Sequence, residues 1–194
     1  MLFYVLKRDD KNKWIDYDKS TDWESIKCPK YDGHQRAGKR IGQLKVNINS
    51  TKALDFYWTF LGECVINDKV ANILHDNKIT GFELQEVGIC NSYLPYKLWE
   101  LCVTGNGGDA HEYSGIFLKS KCEFCGYETY SSYENGIIVD ENNWDKSDIF
   151  TITGYSRRIL VTEKVKKLIE KNNLTGVTIM PSHELKWLEG VIKN

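Results

Sequence analysis

Cys122 and Cys125 stand three apart with Gly126 directly behind them, in the stretch KSKCEFCGYETY from Lys119 to Tyr130. Thiolates at that spacing on a tight turn can share one ion, and a glycine after the second lets backbone amides face the sulfurs. The pattern therefore suits a zinc knuckle. It supplies only half of a four-ligand site. The best match to the other half is KCPKYDGHQ, Lys27 to Gln35, where Cys28 and Pro29 begin a similar unit. There Tyr31 stands where the second cysteine would be, and Gly33 comes one residue late.

Other residues capable of chemistry form weaker patterns. The loop GNGGDAHEY, Gly105 to Tyr113, is glycine-rich but lacks the Gly-Lys-Ser/Thr ending of a phosphate-binding loop, and it reads as a flexible connection. His111 and Glu112 are adjacent and could act as acid and base, yet no HExxH spacing exists. No cysteine and histidine are singled out as a nucleophile pair. Cys64, Cys90 and Cys102 lie in apolar surroundings and read as small core residues. No residue is assigned a catalytic role, and the expectation is a protein that is not an enzyme.

Around these residues the chain has 194 residues, 41% of them hydrophobic and 12% aromatic, enough to bury a core. Its 26 basic and 27 acidic side chains nearly cancel, which disfavours a nucleic-acid partner. Residues 1–60 carry a net +4, residues 61–150 a net −9 and residues 151–194 a net +4. An acidic middle of this kind would attract a basic protein, or it is simply a solvated face. MLFYVLKRDD reads as a strand and not as a secretory leader, and no apolar run approaches a membrane span. The expected setting is cytoplasmic, away from membranes, with the six cysteines as thiols.

The elements that must position the cysteines form an α+β pattern. Leu2 to Leu6 is a strand, and Trp14 to Tyr17 is expected to pair with it. Tyr127 to Tyr133 and Ile137 to Val139 flank Asn135-Gly136, a dipeptide suited to a tight hairpin, so the CxxC unit is expected to open an antiparallel hairpin. NDKVANILHDNKITGFEL from Asn67 aligns without gaps on TEKVKKLIEKNNLTGVTI from Thr162, an offset of 95 residues. Each copy reads as a capped helix, a glycine turn at Gly81 or Gly176 and a short strand. The repeat suggests one domain over residues 1–194 with two related halves, about 1–97 and 98–194, although convergence on a common supersecondary pattern would give the same alignment.

Taken in order, Met1 to Leu6 in the form MxFYxL, Trp23 before Cys28, the helix and turn at Asn67 to Gly81, the CxxCG at Cys122 to Gly126, Asp148 to Phe150 and the closing helix with LTG at Leu174 to Gly176 make up a pattern. In these features, which span most of the chain, the sequence resembles the bacterial double-CxxCG motif proteins. The resemblance implies a cytoplasmic immunity protein, an antidote that binds a polymorphic toxin delivered between competing bacteria. It also implies a zinc site shared by two cysteine units, which here supplies Cys28, Cys122 and Cys125 and leaves a fourth ligand missing. His34, His111 and Asp32 are the candidates, His34 being preferred for its closeness to Cys28 and because a Cys3His site is chemically ordinary. The alternative is a degenerate site in which Tyr31 packs where a metal once sat. For toxin contact the expected residues are Tyr127, Glu128, Tyr130, Tyr133 and Glu134, alternating on the hairpin as interface anchors. The same tyrosines could equally finish a half-buried sheet. The competing reading of the whole chain is a zinc-stabilised structural or nucleic-acid-binding module without a toxin partner.

Overall fold

The computed structural model describes residues 1–34, 36–48, 52–91 and 96–186, so the last eight residues of the expected second half lie outside it. The chain forms an α+β fold. It begins with β1 (Phe3–Arg8), β2 (Asp16–Tyr17), β3 (Asp22–Ile26), β4 (Arg36–Ile41), β5 (Lys45–Asn47), β6 (Phe56–Trp58) and β7 (Cys64–Asn67). Helix α1 (Asp68–Asp76) leads to β8 (Phe82–Glu86), β9 (Gly88–Ile89), β10 (Leu98–Val103) and β11 (Gly105–Asn106). Then come β12 (Leu118–Lys121), β13 (Glu128–Tyr130), β14 (Ile149–Thr151), β15 (Leu160–Thr162), α2 (Glu163–Lys171) and β16 (Val177–Pro181).

Two larger sheets dominate, with strand orders β6-β7-β10-β8 and β11-β14-β15-β1-β16. In each, the strands before and after the helix flank a third strand, which follows β8 after eleven intervening residues in one sheet and lies at the start of the chain in the other. β10 lies between β7 and β8, pairing Trp99 with Ile66 and Leu101 with Leu84. β1 lies between β15 and β16, pairing Tyr4 with Val161 and Leu6 with Ile179. The Tyr4 hydroxyl donates to Glu163 at the start of α2, and the Trp99 indole N–H donates to Asp68 at the start of α1 at 2.7 Å.

The turns after the helices cross between the sheets. Asp55, just before β6, accepts from the Thr175 N–H at 2.8 Å and its hydroxyl at 2.9 Å. Asp148, just before β14, accepts from the Thr80 N–H at 3.2 Å and its hydroxyl at 3.4 Å. Gly81 and Gly176 follow those threonines with φ of 88° and 85°. A Cβ on either would lie 2.0 Å from a carbonyl oxygen, that of Ile149 or Phe56, so no other residue fits these crossings.

Alternation along the strands distributes the core. Tyr4 and Leu6 of β1 join Phe56, Trp58, Leu101, Val161 and the buried faces of both helices in one cluster. Phe3 and Val5 point the other way, into a cluster with Ile137, Trp144 and Phe150. A third cluster, with Ile15, Leu44, Val46 and Val65, covers the far side of β7. Sheets buried on both faces explain the near-continuous apolar runs FYVL and CVI. Each fully buried large side chain contributes about 1.5–3 kcal/mol.

Several local expectations fail because tertiary partners override short-range signals. Trp14 to Tyr17 does not pair with β1. β2 pairs with β5, and Ile15 bridges Thr59. Asn135-Gly136 does not turn a hairpin: the Ile137 N–H donates to the Ser182 carbonyl at 2.8 Å, and Val139 bridges Ala110. Asn67 caps α1 by accepting from the Val70 N–H, but the Thr162 side chain makes no cap bond and donates to Asp148 at 3.0 Å. The Gly105 to Tyr113 loop is not loose, since β11 pairs parallel with β14 and Gly107 sits against the Phe150 ring. Cys64 is buried and Cys102 half-buried, but Cys90 is exposed.

Candidate metal centre

Two antiparallel hairpins carry the cysteine units. β3 and β4 pair from Asp22 with Ile41 to Ile26 with Arg36, and Cys28 to His34 belong to the loop between them. β12 and β13 pair Leu118 with Tyr130 and Lys121 with Glu128, so the turn of that hairpin is the CxxCG unit itself. The Gly126 N–H donates to the Cys122 carbonyl and the Cys122 N–H to the Tyr127 carbonyl, each at 2.8 Å. Gly126 takes φ 67°, the left-handed value that closes the knuckle. On the first hairpin a short 3-10 turn, Asp32–His34, swings His34 back toward Cys28.

Cys28, His34, Cys122 and Cys125 converge, with one ligand atom from each lying within 4.8 Å of all the others. The Cys28 and Cys122 sulfurs are 3.8 Å apart, and the Cys125 sulfur is 3.7 Å from Nδ1 of His34. A tetrahedral zinc with Zn–S bonds of about 2.3 Å has sulfur–sulfur edges of about 3.8 Å, so the donor set fits that ion in both chemistry and spacing. The cluster could thus hold a metal such as zinc as a closed Cys3His site, with two donors from each hairpin. No disulfide links the six cysteines.

Electrostatics favour metal-ready sulfur. Burial opposes the Cys122 thiolate, but the N–H groups of Cys125 and Phe124, together with Cys125 and His34, outweigh it and bring this thiol down to about 6. At neutral pH Cys122 is then mostly thiolate, the form that binds metal. Cys125 moves upward, first through burial and then through the neighbouring Cys122 and Cys28 sulfurs, despite the Tyr127 N–H.

Tyr31, in the place of a fourth cysteine, neither ligates nor leaves a gap. Its ring packs on His34 at 5.3 Å between centroids and on Phe124 at 6.3 Å, while Tyr127 packs on the same imidazole at 5.0 Å. Lys30 lies over Phe124 at 4.5 Å. The aromatic collar fixes the His34 ring, a role for Tyr31 that residue type alone does not reveal. The other two candidates for the fourth ligand lie outside the cluster. His111 caps a 3-10 turn by accepting from the Tyr113 N–H at 3.3 Å, and Asp32 is exposed.

The residues expected to contact a partner divide. Tyr127 and Tyr130 are half-buried, Glu134 is exposed, and Glu128 pairs with Lys121 at 2.7 Å and accepts from the Tyr130 hydroxyl at 2.9 Å. Tyr133 is a correction: only 3% exposed, it belongs to the core cluster of Phe3 and Ile137 and stacks on Tyr155 at 5.4 Å. Because β13 ends at Tyr130, the alternation assumed from Tyr127 to Tyr133 does not carry through.

Neither a scan of protein-family models nor a search of curated proteins finds a match to this chain. Among the described residues, no helix is long and apolar enough to cross a membrane.

Proposed function

We propose that this chain is a cytoplasmic immunity protein that binds and neutralises a cognate bacterial toxin, with zinc on Cys28, His34, Cys122 and Cys125 holding its two hairpins together. The observation that carries the reading is the meeting of the two cysteine units in one four-donor cluster. That arrangement is what the resemblance to double-CxxCG immunity proteins implies, with His34 in the fourth place. An inhibitor of this kind covers the toxin's working surface and makes or breaks no bond. Its requirement is a rigid face, which a closed structural metal site supplies.

The halves are read as two copies of one unit of about 95 residues. The support is that Tyr4 and Trp99, Asp68 and Glu163, Val161 and Ile66, and Thr80 and Thr175 all occupy matching places at the offset of the sequence repeat. The cysteine units, one per half, then meet between the copies.

Two measurements test these claims. Elemental analysis of reduced protein never exposed to chelator is expected to give one zinc per chain, falling several-fold in His34→Ala and in Cys122→Ser. Near-zero zinc in the unmodified chain ends the metal reading. Co-expression with the toxin encoded in the neighbouring reading frame is expected to protect cells and yield a stable complex. Neither protection nor a complex ends the immunity reading.

A further inference from the structure

Beside the metal hairpin runs an open groove of about 600 Å³, within the usual range for ligand clefts. One wall is Tyr127, the residue stacked on His34. Another is Phe60 with Trp14, an edge-to-face pair at 6.2 Å that stays 77% and 40% exposed. The remaining wall is Tyr155, Arg157 and Arg158.

Phe60 is held out to solvent by a rigid turn. The Gly62 N–H donates to the Thr59 carbonyl at 3.1 Å, the Glu63 N–H donates to the Thr59 hydroxyl at 3.0 Å, and the Tyr17 hydroxyl donates to Glu63 and lies 2.9 Å from the Thr59 hydroxyl. An exposed aromatic held on so fixed a turn is preorganised for a contact, because little side-chain or loop entropy remains to be lost on binding. Its partner Trp14 carries the Arg8 guanidinium 4.2 Å above its ring.

The charge of the groove is one-sided. Its one carboxylate, Glu128, is already paired with Lys121 at 2.7 Å. Arg157 is exposed, and neither it nor Arg158 has a carboxylate partner among the described residues. Arg158 lies close enough to the Tyr133 hydroxyl to influence it electrostatically. Two guanidinium groups lining the groove beside an aromatic shelf complement a carboxylate next to an apolar side chain. They do not make the long basic track that a nucleic acid needs.

From this complementarity we infer that the groove is the docking site for an acidic protein segment bearing one aromatic or large aliphatic anchor. The anchor packs on the exposed Phe60–Trp14 pair, and the flanking carboxylates meet Arg157 and Arg158. The inference rests on the immunity reading only in making that segment part of the toxin. It places the contact beside the metal hairpin and shifts its charge from the acidic surface to a basic groove.

The test has two arms that fail separately. A phage library of random peptides is panned on the full chain and counter-selected on the Phe60→Ser, Arg157→Glu double variant. Acidic peptides with a Trp, Phe or Leu anchor are expected, and each single substitution is expected to weaken the best of them about tenfold or more in fluorescence anisotropy. Both side chains are exposed, so an unchanged thermal midpoint and retained zinc verify folding, and Lys171→Glu on α2 serves as the charge control. Peptides without acidic bias, equal binding by the variants, or oligothymidylate binding lost in Arg157→Glu each overturns the proposal. In the second arm, the two substitutions are expected to abolish the complex with the neighbouring toxin. A toxin bound equally by wild type and variant defeats the groove and leaves immunity standing. A toxin bound by neither defeats immunity, and the peptide arm still decides the groove.

Discussion

Residue chemistry reached the four-donor cluster because few side chains can serve as zinc ligands, and a CxxCG turn fixes where two of them point. Cys28, Cys122, Cys125 and the preference for His34 were therefore legible, whereas the aromatic collar of Tyr31 and Tyr127 was not. A tyrosine's spacing does not say whether it meets solvent, as Tyr133 shows by turning into the core. Nor did any local pattern announce Arg40 and Glu100, a pair 60 residues apart that meets at 3.1 Å with side chains 12% and 9% exposed. Arg40 sits on β4, in the hairpin that carries Cys28 and His34, and Glu100 on the interior strand β10, so this bidentate pair ties that hairpin to the sheet. Arg40→Ala leaves the Glu100 carboxylate buried without a counter-charge, and about 3–5 kcal/mol of stability is expected to vanish in urea unfolding. Replacing both partners, Arg40→Met with Glu100→Leu, is expected to recover most of it, because no charge is then left stranded. A loss under about 0.5 kcal/mol for Arg40→Ala would mean that the pair does not hold the hairpin.

At the scale of elements, the helices and their glycine turns could be read from the sequence because caps, apolar period and left-handed glycines act within a few residues. Strand partners could not, since β1 pairs across most of the chain and β10 inserts between β7 and β8, neither of which a tight-turn hairpin rule sees. The crossings at Gly81 and Gly176 make this local and non-local coupling measurable. Alanine at either position meets a carbonyl oxygen at 2.0 Å in a left-handed backbone, and a cost of at least about 2 kcal/mol is expected at both. Gly33→Ala, where a Cβ meets nothing within 4 Å, is expected to stay within about 0.5 kcal/mol of wild type. The same crossings predict an acid limb. Burial would raise the Asp55 carboxyl, but the bonds from Thr175 and Asn67 and the charge of Lys69 win and hold it below the usual carboxylate range. A carboxyl depressed in the folded state adds stability above its unfolded value near about 4 and loses that contribution as pH falls through the native value. Asp55→Asn is therefore expected to destabilise most at neutral pH, with the gap to wild type closing in acid. A gap that is constant with pH would remove Asp55 from the acid transition.

For the whole molecule, the strand exchange matters more than the number of elements. An interior strand of each large sheet comes from across the midpoint near residue 97: β1 stands between β15 and β16, and β10 between β7 and β8. Strand pairing therefore crosses that midpoint in both directions, which a sequence offset does not reveal because it carries no information about which segment a strand joins. A fragment of residues 1–97 keeps β7, α1 and β8 but lacks the strand between them, and a fragment of residues 98–194 lacks β1 in the same way. Each would expose both inner edges of a split sheet and half of the shared apolar cluster, so each alone is expected to be unfolded or aggregated by circular dichroism and gel filtration. Expressed together, they are expected to assemble into one complex, because each supplies the strand that the other lacks. Zinc gives an independent readout. Cys28 and His34 lie on the first fragment and Cys122 and Cys125 on the second, so a four-ligand centre can form only in the mixture. One zinc per assembled pair, with neither fragment holding the ion tightly by itself, is the expected result. A first fragment that unfolds cooperatively on its own would instead show that β10 is dispensable, and the exchange would then be a feature of packing with no part in holding the fold together.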